Sequence, residues 1–247
     1  MIALQTFDLC KKYGDKLAVD SLNLAINKGE LFSLLGVNGA GKSTTIKMLS
    51  CLLSPSSGDG EILGYSIVRQ SQEIKKLINI SPQETAIAPN LSVRENLCFL
   101  SRVYGSARQQ AQAQAEKMIA EFHLEEVAQS KAKTLSGGMQ RRLSIAMALI
   151  SQPQILFLDE PTLGLDVLAR RELWQVIESL KGQVTIILTT HYMEEAEALS
   201  DRVGIMNRGR LQALGTVDEL KAATNGANLE EAFVKLAQKG GDTSCLC

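Results

Sequence analysis

Gly36-Val37-Asn38-Gly39-Ala40-Gly41-Lys42-Ser43-Thr44 decides how the rest of the chain is read. It meets the pattern G-x-x-x-x-G-K-[ST] at every specified position. The run before it, "ELFSLLG" (30–36), is nearly all apolar and ends in glycine. The run after it, "STTIKMLS", has helical character. A buried strand, a glycine-rich loop and a helix start bring successive backbone N–H groups onto one phosphate, with the helix N-terminus behind them. The Lys42 ammonium suits the β- and γ-oxygens of a nucleotide, and the Ser43 hydroxyl suits Mg²⁺.

Outward from this loop, strand-like and helical runs alternate. "QILFLDE" (154–160) and "VTIILTT" (184–190) repeat the form of 30–36, and helical patterns follow at 42–51, 167–181 and 193–199. Strands apolar on both faces and separated by helices predict an α/β fold with a buried parallel sheet. The first thirty residues differ and read as an antiparallel appendage of alternating strands. From about 92 to 150 strand signals vanish. Ser92-Val-Arg-Glu95 predicts a capping box, and "SARQQAQAQAEKMIAEF" (106–122) is rich in helix formers. This block predicts a helical lobe, about 84–150, inserted into a domain spanning 1–239. The end of the chain, 240–247, reads as a loose tail.

Several side chains then fall where ligands sit in such sheets, at the carboxyl ends of the strands. Asp159 ends "ILFLD" and can hold Mg²⁺. Glu160 follows it and suits a general base for water attacking a γ-phosphate. Gln83, after the strand-like "KKLINI", carries an amide able to touch both metal and water. His191 ends "TIILTTH"; a histidine there is commonly structural, but at this sheet edge it can sense a γ-phosphate. Tyr13 in "KKYGDK" either stacks on a base or serves as a turn aromatic.

Composition narrows the setting. The formal charge is −1, from 26 basic and 27 acidic residues, so no basic excess points to nucleic acid. No apolar run reaches the roughly 18–20 residues of a membrane span, and the N-terminus lacks the regions of a signal peptide. A cytosolic location is expected, with membrane association through a partner. The five cysteines (10, 51, 98, 245, 247) have neither C-x-x-C spacing nor nearby histidines, so disulfides and zinc are not expected.

A second glycine-rich helix start remains: "KTLSGGMQRRL" (131–141). With the motifs above, this chain resembles the ATP-binding subunits of ABC transporters over about 1–238. "LSGGMQ" (135–140) matches the family's signature. The resemblance implies a P-loop NTPase with a RecA-like parallel core, an N-terminal antiparallel β subdomain and an inserted helical lobe. By the same resemblance Tyr13 is the base-stacking aromatic, and Gly36–Thr44 the Walker A loop. Gln83 marks the Q-loop, Ile155–Asp159 Walker B with Glu160 as catalytic base, "TLGLD" (162–166) the D-loop with Asp166, and His191 the switch histidine. ATP and Mg²⁺ are the implied cofactors. The family places two cassettes head to tail around two ATP molecules, so Ser136, Gly137 and Gly138 address the γ-phosphate on a second copy or close homologue.

The chain departs from the commonest family pattern at Val37 for proline, Met139 for glutamine and Gly164 for alanine. None of these removes a catalytic group. "EPTLGLDV", "HYMEEAE", "DRVGIMNRGRL" and "NLEEAFVKLA" resemble bacterial drug- and antibiotic-exporter ATPases of the daunorubicin-resistance type. That resemblance implies an ATPase driving a separate membrane permease, located on the cytoplasmic face. A soluble ABC ATPase with an assembly or regulatory role is the alternative. A GTPase is disfavoured: "INKGE" (26–30) lacks the N-K-x-D that reads guanine.

Overall fold

The computed structural model describes residues 1–239. The predicted tail 240–247, with Cys245 and Cys247, lies outside the described residues. In chain order the elements are β1 (Ile2–Tyr13), β2 (Lys16–Leu22), β3 (Ala25–Asn27), β4 (Leu31–Leu35), α1 (Lys42–Leu49), β5 (Ser57–Ile62), β6 (Tyr65–Ser66), α2 (Ser71–Lys75) and β7 (Ile78–Ser81). A helical stretch follows: α3 (Val93–Val103), α4 (Arg108–Glu121) and α5 (Gly137–Leu149). The chain then returns to the sheet with β8 (Ile155–Asp159), α6 (Val167–Ser179), β9 (Thr185–Thr190), α7 (Met193–Leu199), β10 (Arg202–Asn207), β11 (Arg210–Gly215), α8 (Val217–Thr224) and α9 (Leu229–Lys239).

Six strands form the main sheet in the order β11-β10-β4-β9-β8-β7, parallel except for the antiparallel β10–β11 pair. Its central strands are buried on both faces, as their largely apolar runs predict. Successive residues enter opposite cores. Phe32, Leu34, Phe157 and Ile187 pack with Ile46 of α1 and with Leu4, Leu9 and Val19 of the N-terminal sheet. Leu31, Leu156, Leu158, Ile186 and Leu188 pack on the other side with α5, α6 and the helical stretch. Phe157 is fully buried, so its truncation to alanine costs about 3–5 kcal/mol.

The antiparallel sheet is wider than the first thirty residues suggest. β1 pairs with β2, β3 and β5, and β5 with β6, so residues 57–66 complete it. β5 reads "SGDGEI", and Gly58 explains why the strand was not legible. A Cβ there would lie 2.2 Å from the Asp8 carbonyl oxygen, so close strand approach excludes the β-branched residues that mark a strand. "KKLINI" is also split: α2 ends at Lys75 and only the second half is strand. The capping box forms as written, with Ser92 Oγ accepting from the Glu95 amide and Glu95 Oε2 accepting from the Ser92 amide. Among the described residues no helix is long and apolar enough to cross a membrane.

Candidate active site

β4 delivers the chain to Gly36, where no side chain fits. A Cβ would lie 2.5 Å from the Met206 carbonyl oxygen and 3.0 Å from Ala40 Cβ. The loop then turns into α1 through Gly41, at φ 106°, and α1 has no side-chain cap. The first-turn amides of such a helix lack intrahelical acceptors, so an anion can satisfy them and gain from the helix dipole. The loop is braced from behind. The Gly209 amide of the β10–β11 turn donates to the Ala40 carbonyl, and the Gly209 carbonyl accepts from the Asp20 amide, both at 2.9 Å.

A cleft of about 670 Å³ opens over this loop. Asn38, Gly39, Ala40, Gly41, Lys42, Ser43 and Thr44 line it, together with Tyr13, Gln83, Glu160 and His191. Parallel pairing of β4, β9 and β8 explains the convergence, because their carboxyl ends share one edge. Lys42 is buried. Its Nζ donates to the Gly36 carbonyl at 2.7 Å and lies 3.1 Å from Glu160 Oε1. The other carboxylate oxygen, Glu160 Oε2, lies 2.5 Å from His191 Nδ1. Ser43 Oγ donates to Asp159 Oδ1 at 3.2 Å, and the Thr189 hydroxyl donates to the same oxygen at 2.6 Å.

Glu160 has φ 49°, a left-handed conformation uncommon away from glycine. Its amide is held by the Thr189 carbonyl and hydroxyl, both at 3.1 Å. Such a conformation at a buried carboxylate persists only where surrounding contacts over-determine it.

Three features escape a reading by motif. Arg141, one of the paired arginines in "MQRRL", is 4% exposed and spends its donors on backbone carbonyls. Burial lowers its pKa to about 10, against opposing pulls from Asp159 and Glu195. Glu195 of α7 is fully buried; Oε1 accepts from the Trp174 indole at 3.1 Å, while Oε2 makes no hydrogen bond among the described residues. Burial raises its pKa, opposed by the nearby Thr190 and Thr162 hydroxyls, Trp174 and Arg170. Arg208, at the β10–β11 turn, lines the cleft near Tyr13 and Lys16. The arginine pair was a signal available in the sequence; its partners were not.

A family model described as ABC transporter matches residues 19–163. The chain belongs to the ABC transporter family. It is therefore an ATPase with a P-loop NTPase fold. It is 40% identical over 237 residues to a daunorubicin resistance ATP-binding protein of Streptomyces coeruleorubidus, covering 96% of this chain and 75% of that one. It is 41% identical over 232 residues to a linearmycin resistance ATP-binding protein of Bacillus subtilis, covering 94% and 75%. Among solved structures it resembles a dimeric ATP-binding cassette in a post-hydrolysis state bound to ADP and phosphate. That match has TM-score 0.77 and 27% identity, covering 86% of this chain and 98% of that one.

The ABC signature residues stand apart from the cleft. Ser136 caps α5, its hydroxyl accepting from the Met139 amide at 3.3 Å. Gly138 lies against α6, where a Cβ would come 2.9 Å from Ala169 Cβ; at Gly137 the nearest atom would be Leu165 Cδ2, at an ordinary 3.7 Å. Asp166 likewise lies outside the cleft and caps α6, accepting from the Ala169 amide at 2.9 Å. Tyr13 ends β1, 47% exposed, with Lys11 Nζ 5.4 Å from its ring centre.

Proposed function

We propose that this chain is the cytoplasmic ATP-hydrolysing subunit of an exporter of drugs, antibiotics or lipid-like compounds. One observation carries the enzymatic part: a single cleft gathers the uncapped α1 terminus, Lys42, Ser43, Gln83, Glu160 and His191. The phosphates of ATP lie on the amides of Gly39–Thr44, with Lys42 on the β- and γ-oxygens and Tyr13 against the base. Ser43 and Asp159 offer adjacent hard oxygens for Mg²⁺, and Gln83 adds a third. Among the described residues no cluster of three or more His, Cys, Asp or Glu could hold a metal alone. That fits an ion arriving with the nucleotide. When bound, Mg²⁺ supplies charge neutralisation at the phosphate oxygens.

Glu160 is the general base. Lys42 holds its Oε1 until a phosphate oxygen takes the lysine, which frees that carboxylate oxygen to accept a proton from water. His191 holds the other oxygen and faces the site of the γ-phosphate. The uncrowded Gly137 and the capping Ser136 start a helix outside the chain's own cleft. They, with Gly138, serve the nucleotide on a second cassette, and Asp166 orders the adjacent loop there. ATP thus closes the dimer and hydrolysis opens it.

Exposed Phe99 and Val103 on α3 line a groove with Leu91, beside exposed Tyr104, and offer an apolar surface for the permease. The names of the drug-resistance relatives support export. In the test, purified protein is to release phosphate from MgATP, and Glu160→Gln is to become a dimer in ATP and a monomer in ADP. A monomer at saturating ATP overturns the sandwich. For export, cells expressing the chain with its permease are to accumulate less of a fluorescent hydrophobic drug. Equal accumulation with wild-type and Glu160→Gln protein overturns that part.

A further inference from the structure

We infer that Arg141 is a positioning residue that sets the catalytic geometry of Glu160 and ties it to the Gln83 loop. The inference rests on the roles proposed above for Glu160 and Gln83. One guanidinium reaches two separate segments of chain, 82–83 and 159–161. Nη2 donates to the Asp159 carbonyl at 2.8 Å and Nε to the Pro161 carbonyl at 2.8 Å. Nη1 donates to the Pro82 carbonyl at 2.5 Å and to the Gln83 carbonyl at 3.1 Å. The two β8-side acceptors are the carbonyls of the residues on either side of Glu160, Asp159 and Pro161.

Glu160 is the residue held at φ 49°. Its amide is fixed from one side by Thr189. Arg141 holds the peptide plane that enters Glu160, through the Asp159 carbonyl, and the plane that follows Pro161, so the backbone is pinned on both sides of the residue. A planar fork of donors pre-organised in this way loses little freedom per bond formed, which neither lysine nor glutamine reproduces. Without it, buried carbonyls lose their partners, and the backbone at Glu160 is free to leave the left-handed region. A carboxylate displaced by about 1 Å loses on the order of 10²-fold in rate.

The anchor is not a neutral staple between lobe and core. Arg141 sits on α5 three positions after Gly138, so the helix that carries the signature also grips the peptide planes around the chain's own base. A shift of α5 on its signature side moves Glu160 and the Gln83 loop together. The hydrogen bonds of Lys42, which go to the Gly36 and Val37 carbonyls, and those of Arg141 share no acceptor among the described residues. Loss of Arg141 therefore separates binding from turnover.

The test is a pair of single variants and their combination, assayed by steady-state phosphate release over a range of MgATP concentrations. Arg141→Gln is to lower kcat at least about 10-fold, with the KM for ATP within about 2-fold. In a Glu160→Gln background the same substitution is to change the residual rate by less than about 2-fold, because it acts through the missing carboxylate. If Arg141→Gln cannot be purified folded, Arg141→Lys, which keeps the charge and loses the fork, is to show the same split. Wild-type kcat in the folded variant, or a loss that multiplies undiminished in the Glu160→Gln background, overturns the inference while leaving the role of Glu160 intact. Undiminished hydrolysis by Glu160→Gln alone overturns the role of Glu160, and the inference with it.

Discussion

Glu160→Gln removes one partner of a buried ion pair, and its effects on stability and on ATP binding have opposite signs. Lys42 and Glu160 are 4% and 8% exposed and 3.1 Å apart. Removing one member of such a pair costs about 3–5 kcal/mol, because the remaining charge stays buried. Lys42 keeps the Gly36 and Val37 carbonyls at 2.7 and 3.3 Å, which places the cost at the lower end, about 3 kcal/mol. For a domain of this size that lowers Tm by about 6–12 °C. ATP reverses the order. In the wild type a phosphate oxygen must take Lys42 from a carboxylate, forgoing a charge-assisted contact of about 1.5–3 kcal/mol. In the variant the lysine is available, so ATP binds roughly 10–100-fold more tightly. The assay is a thermal melt of both proteins without nucleotide, paired with ATP titration in EDTA at protein concentrations too low for dimerisation. A nucleotide-free Tm equal to that of wild type, together with an unchanged Kd, would refute the assignment of this pair as competitor for the phosphate.

Gly41→Ala forces a side chain onto φ 106°, with its Cβ 2.5 Å from the Ala18 carbonyl oxygen. The conformation alone costs roughly 1–2 kcal/mol, so a lower Tm and loss of ATP binding are expected in the same melt and titration. Gly137→Asp meets only ordinary contact in the chain but puts a carboxylate at the helix start proposed to meet a phosphate. Its Tm should match wild type while ATP-driven dimerisation, read by light scattering, disappears. Glu195→Gln tests a pH dependence. Burial raises the Glu195 pKa above its ordinary 4.5, so the folded state holds that proton more tightly than the unfolded chain does. The contribution to stability is complete below about pH 4.5 and lost as pH rises through the raised value. Denaturation at several pH values should show the variant gaining on wild type from pH 4.5 upward; a constant difference sinks the assignment.

The legible parts of this molecule are those whose causes are local. A run that does not alternate apolar with charged residues announces a strand buried on two faces, and β4, β8 and β9 are largely apolar runs of that kind. Ser92 and Glu95 are spaced for a capping box and form one. The glycines of 36–41 announce a turn because no other residue fits it. β5 was hidden because its requirement, close approach to β1 at Gly58, belongs to a partner about fifty residues away in sequence. β11 was hidden likewise, since an antiparallel edge on a parallel sheet depends on the hairpin with β10 and on no periodicity of its own. Arg141 is the extreme case. Its acceptors are main-chain carbonyls, which every residue supplies, so no pattern of side chains could name them.

Two adjacent glycines make the final distinction. Gly138 has a reason within the chain: a methyl group there would press on Ala169, so α5 and α6 could not meet as they do. Gly137 has none, because its added carbon would find ordinary contact with Leu165 and otherwise space. A helix interior charges roughly 0.5–1 kcal/mol for glycine over alanine, and at a helix start the penalty shrinks without vanishing. Nothing in the chain's own packing offsets it at Gly137. A bare backbone does allow close approach from outside, and Ser136 has already turned its hydroxyl inward to cap the Met139 amide. The remaining first-turn amides then face outward with their partial positive charge. In the function proposed above, a surface kept free of side chains at that point receives a phosphate brought by another molecule, and on that reading the second glycine-rich helix start needs no catalytic residues of its own.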